Sequence, residues 1–183
     1  MLFIRSRHGA SLATHELRLR ANRRHPKMSC YELGQEYLET HKVEVSDYAF
    51  REDPILLYTD GLGPCIGLCI AWRSWAGIAH LGSHDEYDML PKFIAEAIEF
   101  LPQNAVPDIC PVICGGDPEE FAEDIRESRR VVVEAVENAG FGKLNVHWND
   151  PGETTSLVAY LKHGIVCVES NRSNDEKYAI AAG

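Results

Sequence analysis

The feature that most constrains this chain is a glycine-rich turn that lies between short apolar segments. Residues 55–59 have the length and composition of a buried strand, and Asp60-Gly61 ends that strand. Residues 65–72 and 75–80 are two more apolar segments of strand length, and the two residues between them, Arg73-Ser74, fit the tight turn of a hairpin. These spacings predict consecutive strands, the last two of which pair antiparallel.

Helices and further strands are predicted beyond this region. Apolar side chains recur at helical spacing from about residue 88 to residue 101, with Pro91 in the first turn. A second helix is predicted to begin at Asp117 and to end at Gly140. Four more strands are predicted over residues 110–114, 144–148, 154–161 and 164–168. Because helices alternate with strands that pair as hairpins, we predict an α+β fold, a layered sandwich of mixed β-sheets flanked by helices.

The region before residue 55 is interpreted as an extension and a linker. Ser29 and Glu32 have the spacing of a capping box, which predicts a short helix from about residue 30 to residue 41. The charged residues 42–53 are predicted to be a linker. The predicted organisation is an N-terminal extension, a catalytic domain and a C-terminal tail, over residues 1–50, 51–172 and 173–183 respectively.

The net charge of −10 is unevenly distributed. Residues 1–27 hold seven bases and one acid, which is typical of a solvated, partly disordered terminus and would also suit an acidic partner or a membrane surface. The remainder is strongly acidic, so no nucleic-acid partner is expected. No apolar segment has the roughly 20 residues of a membrane span. Strand-like surroundings predict reduced, buried thiols at Cys69, Cys114 and Cys167, and therefore a reducing, cytoplasmic location, with export after synthesis left open.

Cys65 and His80 are the candidate reactive residues. A thiol on a glycine-rich turn, followed by an imidazole at the end of a strand, provides the nucleophile and the base that nucleophilic cysteine catalysis requires. Thr59 and Asp60 are both candidates to fix the tautomer of the imidazole. The alternative interpretation is that Cys65 is a packed strand thiol and His80 a core histidine.

Backbone amides on the same turn are the candidate oxyanion donors. Glycines let the chain turn sharply and approach a reacting carbonyl closely. Pro64 has no N–H to offer, so Gly63 and Ile66 are predicted to support the turn and the oxyanion.

These residues resemble a known family. Thr59-Asp60-Gly61-Leu62-Gly63-Pro64-Cys65, followed by Gly77-Ile78-Ala79-His80, is similar to the motifs of the CheD family, the chemoreceptor glutamine deamidases of bacterial chemotaxis. The resemblance covers about residues 55–170 and continues through Gly115-Gly116 and Ser128-Arg129-Arg130. That family has a layered α/β sandwich fold, shared distantly with the catalytic domains of the cytotoxic necrotizing factor toxins.

The resemblance implies a function. Cys65 would be the nucleophile, His80 the general base and then acid, and Thr59 the group that orients His80. The implied reaction hydrolyses a glutamine side-chain amide of a protein to glutamate through a thioester, with a regulatory protein as a further partner. Pro64 stands where the family has serine, and residues 149–153 replace a glycine pair and an arginine. A catalytically silent, protein-binding module of the same fold is therefore the alternative.

No cofactor and no metal are expected. Cys65 and Cys69 are four residues apart, as are His80 and His84. On a strand, residues at that spacing lie about 13 Å apart and cannot share one ion.

Overall fold

Mixed β-sheets and two long helices form the structure, a computed structural model that describes residues 3–5, 13–18, 39–102, 105–118 and 122–172. The helices are α1 (Asp85–Glu99) and α2 (Ala122–Asn138). The strands, in chain order, are β1 (Phe3–Arg5), β2 (Ala13–Arg18), β3 (Glu39–Lys42), β4 (Asp47–Glu52), β5 (Ile55–Leu62), β6 (Ile66–Trp72), β7 (Trp75–Leu81), β8 (Val112–Gly115), β9 (Asn145–Trp148), β10 (Glu153–Tyr160) and β11 (Ile165–Arg172).

The strands form two sheets. One has six strands in the order β1-β2-β11-β10-β5-β3, and the other has five in the order β4-β7-β6-β8-β9. All pairs are antiparallel except β3 with β5 and β8 with β9, which are parallel. The predicted α+β fold with layered, mixed sheets is confirmed, and so is the predicted hairpin of β6 and β7.

Strand β6 explains how the layers pack. Its residues from Ile66 to Ala71 are all buried, because one face meets the six-stranded sheet and the other meets the helices. Cys69 and Ala71 belong to the apolar cluster between the sheets. Leu68 and Ile70 belong to a second cluster that includes Phe93 of α1. The five-stranded sheet is therefore the middle layer.

The helix ends differ from the predicted ones. Helix α1 begins at Asp85, after His84 in a left-handed conformation, so Pro91 lies inside the helix rather than in its first turn. The described part of α2 begins at Ala122, and Asp117 and Pro118, predicted as its N-cap and first helical residue, are not in helical conformation. Gly140 follows α2 with a φ of +82°, which a glycine adopts without strain, as predicted for the end of the helix.

The interpretation of the N-terminal region needs correction. Residues 39–41 lie in β3 rather than at the end of a helix, and the rest of that predicted helix lies outside the described residues. The predicted linker contains β4, which pairs with β7. Parts of the basic terminus form β1 and β2, and β2 pairs with β11. The predicted domain boundary at residue 50 falls within β4, and the division itself stays a prediction.

The cysteines only partly follow the expectation. Cys69 and Cys114 are free and buried, as predicted. Cys167 is buried but disulfide-bonded, so the expectation of a reduced thiol was wrong at that position. Among the described helices, none has both the length and the apolar character required to cross a membrane.

Gly77 offers a test of the packing between β7 and α1. A Cβ atom at Gly77 would lie 2.3 Å from Phe50 Cε1 and 2.9 Å from Phe93 Cε2, two rings that stack with centroids 5.1 Å apart. We expect Gly77→Ala to lower the free energy of unfolding by about 1–3 kcal/mol, because the rings must move apart. Urea unfolding measures the change.

Gly63→Ala is the matched control for that substitution. The added methyl group at Gly63 meets Thr154 Cγ2 at an ordinary 3.8 Å, so little loss of stability is expected. Equal unfolding midpoints for the two variants would contradict the described packing.

Candidate active site

Thr59 and His80 face each other between the two sheets. Thr59 lies on β5 and is fully buried, and His80 lies on β7 and is 2% exposed. The side chains of β5 alternate, so Thr59 points inward together with Leu57 while Asp60 is partly exposed. The two sheets therefore each supply one member of the candidate site.

Cys65 reaches the same space from the turn between β5 and β6. His80 pairs with Gly67 across the β6–β7 ladder, and Cys65 precedes Gly67 by two residues. Cys65 therefore lies directly before the end of β6 at which Gly67 pairs with His80. The Cys65 side chain packs against the cluster between the sheets and is partly exposed. The structure thus places Thr59 and His80 in contact and Cys65 on the adjoining turn, and the catalytic role of the three residues stays a prediction.

A hydrogen bond between the sheets fixes the imidazole. Thr59 Oγ1 lies 2.7 Å from His80 Nδ1 and 2.8 Å from the Val43 carbonyl oxygen. A carbonyl can only accept, so the single hydroxyl proton goes to Val43 and the Nδ1–H of His80 donates to Thr59. Thr59 is therefore the group that sets the tautomer. The other candidate, Asp60, instead pairs with Lys42 at 2.9 Å.

The second nitrogen of His80 has no hydrogen-bond partner. Nε2 is the one buried side-chain nitrogen or oxygen in this state within the described part of the chain. With the proton on Nδ1, Nε2 carries a free lone pair. Leaving a buried acceptor unpaired costs about 1–3 kcal/mol, and such groups often mark a functional site. Cys65 is not within hydrogen-bonding geometry of Nε2, and contacts between catalytic groups are commonly loose in the absence of substrate.

Burial keeps both reactive groups uncharged. It lowers the pKa of His80 below its ordinary 6.5, which outweighs the opposing effect of nearby carboxylates, of which Asp60 is the strongest. Burial also raises the pKa of the Cys65 thiol above its ordinary 9.0, and the Asp85 carboxylate adds to the increase. At pH 7 the site therefore holds a thiol and a neutral imidazole, not an ion pair.

The turn that carries Cys65 is held through its backbone. The Gly116 N–H donates to the Cys65 carbonyl at 2.7 Å, and the Asp117 N–H donates to the Gly63 carbonyl at 2.6 Å. Gly115, at a φ of +93°, makes the approach possible, because a Cβ there would lie 2.3 Å from the Cys65 carbonyl oxygen. These contacts fix the path of the main chain on both sides of the exposed Pro64.

The predicted oxyanion donors are differently placed. The Gly63 N–H donates to the Gly61 carbonyl at 2.8 Å within the turn. Ile66 is buried at the start of β6, opposite Leu81 and Gly115. Both residues lie next to Cys65 as expected, and their role toward an oxyanion stays a prediction.

Asn149 is a residue of this site that the sequence analysis missed. It is 3% exposed, and its Nδ2 donates to the carbonyls of Leu62 at 2.5 Å and Glu153 at 2.9 Å. Its side-chain oxygen accepts from the Thr155 hydroxyl, and its backbone N–H donates to the Gly115 carbonyl at 2.9 Å. Asn149 therefore ties the Cys65 turn to β10. In the sequence it stands in a polar Asn-Asp-Pro-Gly segment typical of an ordinary turn.

Arg129 supports the same turn from α2. Its guanidinium donates to the Gly116 carbonyl at 2.6 and 3.0 Å and to the Asn149 carbonyl at 3.0 Å. It also lies 4.9 Å from the ring centroid of Trp148. The neighbouring Arg130 points outward to Glu127 and Glu134. Of Arg129 and Arg130, only Arg129 thus contacts the backbone that holds the Cys65 turn.

Comparison with known proteins identifies no family. No protein-family model and no curated protein matches the chain. Among solved structures, the crystal structure of the Bacillus licheniformis hypothetical protein YfiH is similar, with a TM-score of 0.43 and 12% identity over 74% of this chain and 71% of that chain. Within the described residues no cluster of three or more histidine, cysteine or acidic side chains is arranged to hold a metal ion.

Alkylation by iodoacetamide tests whether His80 assists Cys65. We expect His80→Asn to slow the alkylation of Cys65 at pH 7 by about tenfold or more, because the partly buried thiol loses its proton acceptor. Thr59→Val should slow it through loss of the fixed tautomer, and Thr59→Ser should restore it. Mass spectrometry of each cysteine-containing peptide gives the rates.

Cys110 is the internal control, since it is free and partly exposed. Its rate should be the same in all these variants. Equal Cys65 rates in the wild type and His80→Asn would show that the two residues do not cooperate.

Proposed function

We propose that this protein is a cysteine-dependent protein-glutamine deamidase with Cys65 as nucleophile, His80 as general base and acid, and Thr59 as the residue that positions His80. The observation that carries the proposal is the unpartnered, buried Nε2 of His80, in an imidazole that Thr59 fixes through the other ring nitrogen. A structural core histidine would satisfy both ring nitrogens.

The first half of the reaction forms a thioester. Nε2 accepts the Cys65 proton while Sγ attacks the carbon of the glutamine side-chain amide. The tetrahedral intermediate collapses as its C–N bond breaks, and the imidazolium returns the proton to the nitrogen, which leaves as ammonia. The charge on the ring is stabilised through Nδ1–H, because Thr59 passes the hydrogen bond on to the Val43 carbonyl.

The second half releases glutamate. Nε2 accepts a proton from water, the hydroxide attacks the thioester carbonyl, and the C–S bond breaks with return of the proton to sulfur. Both halves begin from a neutral thiol or water and a neutral imidazole, which is the state that burial favours in this site.

The resemblance of the motifs to the CheD family supports this reaction and suggests its setting. By that resemblance the substrate is a protein that bears an accessible glutamine, such as a chemoreceptor, the partner is a regulatory protein, and the place is the bacterial cytoplasm. A target outside chemotaxis, reached by export as an effector or toxin, is the other setting compatible with the motifs. Chemotaxis genes or secretion genes next to this one would distinguish them.

A catalytically silent module that binds proteins is the second candidate function. Pro64 favours it, because proline next to the nucleophile removes an N–H and the family's serine hydroxyl. In the structure Pro64 is exposed, and the turn is held by hydrogen bonds to the carbonyl groups of Gly63 and Cys65. These hydrogen bonds do not require an N–H group at position 64. The deamidase is therefore preferred.

Ammonia release from a blocked glutamine peptide tests the deamidase directly. We expect Cys65→Ala and His80→Ala to lower the rate by about 10³-fold or more, because nucleophile and base act as one unit. Cys110→Ala, which removes a thiol away from the turn, should retain the rate. Absence of ammonia with the wild-type protein, or an unchanged rate in Cys65→Ala, would favour the silent module.

The pH dependence follows from the two pKa shifts. His80 must be unprotonated to act, and burial lowers its pKa, so activity should persist below pH 6.5 before it falls on the acid side. The Cys65 thiol must carry its proton at the start, and its raised pKa places the alkaline decline above pH 9.0. A profile of kcat/KM from pH 4.5 to 10 measures both limbs. An acid limb centred above pH 7 would contradict this assignment.

A further inference from the structure

Carboxylates surround the candidate site on several elements. Asp60 follows Thr59 directly on β5, Glu44 lies in the loop after β3, and Asp85 is the first residue of α1. All three act electrostatically on the His80 imidazole, and Asp85 also acts on the Cys65 thiol. On β4, Asp47 pairs with His80, so it shares the sheet face of His80 at the exposed edge.

One cation partly offsets this charge. Lys42 Nζ lies 2.9 Å from Asp60 and 3.5 Å from Glu44, so a single ammonium is shared by two carboxylates. Asp85 is held by the backbone, since its Oδ2 accepts from the Gly82 N–H at 2.7 Å. Ion pairing within the described residues therefore leaves the surroundings of the site negative.

The buried imidazole points to a ligand at the same place. His80 is 2% exposed and its Nε2 is unpartnered, so an incoming polar group is needed to satisfy that atom. The carboxylates thus lie around the His80 imidazole, whose Nε2 is free to accept a hydrogen bond from a ligand. Their negative charge acts on any charged ligand that approaches this atom.

We propose that this acidic rim, formed by Glu44, Asp60 and Asp85, selects glutamine side chains that lie next to lysine or arginine and disfavours those in acidic segments. The inference rests on the proposed deamidase function. Opposite charges within a Debye length, about 10 Å at 0.1 M salt, attract the substrate and raise its association rate. The same rim repels the newly formed glutamate carboxylate, which favours release of the product.

Three blocked peptides test the substrate preference. They share a central glutamine between glycines and carry two lysines, two serines or two glutamates as flanking residues. At 20 mM salt we expect kcat/KM from ammonia release to be about tenfold or more higher for the lysine peptide than for the glutamate peptide, with serine between. At 0.5 M salt, screening should reduce this ratio to less than about threefold.

Charge-neutral variants locate the effect. Glu44→Gln and Asp85→Asn keep the shape of each side chain, and Asn retains an oxygen for the Gly82 N–H. Each should reduce the lysine-to-glutamate ratio. Glu137→Gln on α2 is the matched control, since α2 packs on the other face of the five-stranded sheet, and it should leave the ratio unchanged. Ammonia release with no dependence on flanking charge would overturn the inference and leave the deamidase standing.

Charged thiol reagents measure the field at Cys65 without any deamidase activity. A cationic trimethylammonium and an anionic sulfonate methanethiosulfonate each transfer one thioalkyl group to the thiolate, with methanesulfinate as the leaving group. We expect the cation-to-anion rate ratio at Cys65 to exceed that at glutathione by about tenfold or more, and to fall in Asp85→Asn. Equal ratios at Cys65 and glutathione would overturn the inference. Failure of ammonia release with a high ratio would reject the deamidase and retain a cation-attracting site.

Discussion

The hydrogen bond from His80 Nδ1 to Thr59 is the interaction on which the candidate site depends. It joins β7 of the middle sheet to β5 of the outer sheet, in an interface that is otherwise lined largely by apolar side chains. A buried polar pair is favourable only when each group finds its partner, so this bond requires one relative placement of the sheets. The carbonyl of Val43 completes the arrangement, because it takes the hydroxyl proton and leaves Thr59 as acceptor.

Cys65, the proposed nucleophile, depends on a different kind of support. Its turn is held by hydrogen bonds to main-chain carbonyls, with donors from the backbone after β8 and from the side chain of Asn149. Arg129 in turn holds the segments that supply those donors. The Cys65 thiol is therefore positioned by the backbone contacts of three regions far apart in the chain, none of which contacts its side chain through a hydrogen bond.

The sequence predicts the apolar parts of this fold well, because periodicity reports burial. The β6–β7 hairpin and the two amphipathic helices follow from it, and the motif similarity selected Cys65, His80 and Thr59 for the site. Strand β3 was missed because three of its four residues are exposed and it joins β5 through backbone hydrogen bonds, which leave no apolar pattern. Strand β4 was missed for a related reason, since only Ala49 in it is fully buried.

Asn149 shows a further limit of prediction from sequence. Its role arises from a contact with Leu62, which is 87 residues away in sequence, and only the packed sheets bring the two together. A lone asparagine before Asp-Pro-Gly has the composition of a surface turn. The choice between Thr59 and Asp60 likewise required the alternation of β5 to be placed against the other sheet. Local patterns thus select Cys65 and His80 as candidates, and tertiary packing identifies the residues that hold them in place.

The segment between β5 and β6 is also one of the four connections, among the described residues, that cross from one sheet to the other. This crossing limits where the chain can be opened without separating the parts of the candidate site. New termini are tolerated at exposed turns that join neighbouring strands, such as Arg73-Ser74 between β6 and β7, where the two strands remain paired. A circular permutant opened at Pro64 would instead sever the crossing next to Cys65. We expect such a chain to lose the covalent link that places the Cys65 thiol relative to the six-stranded sheet.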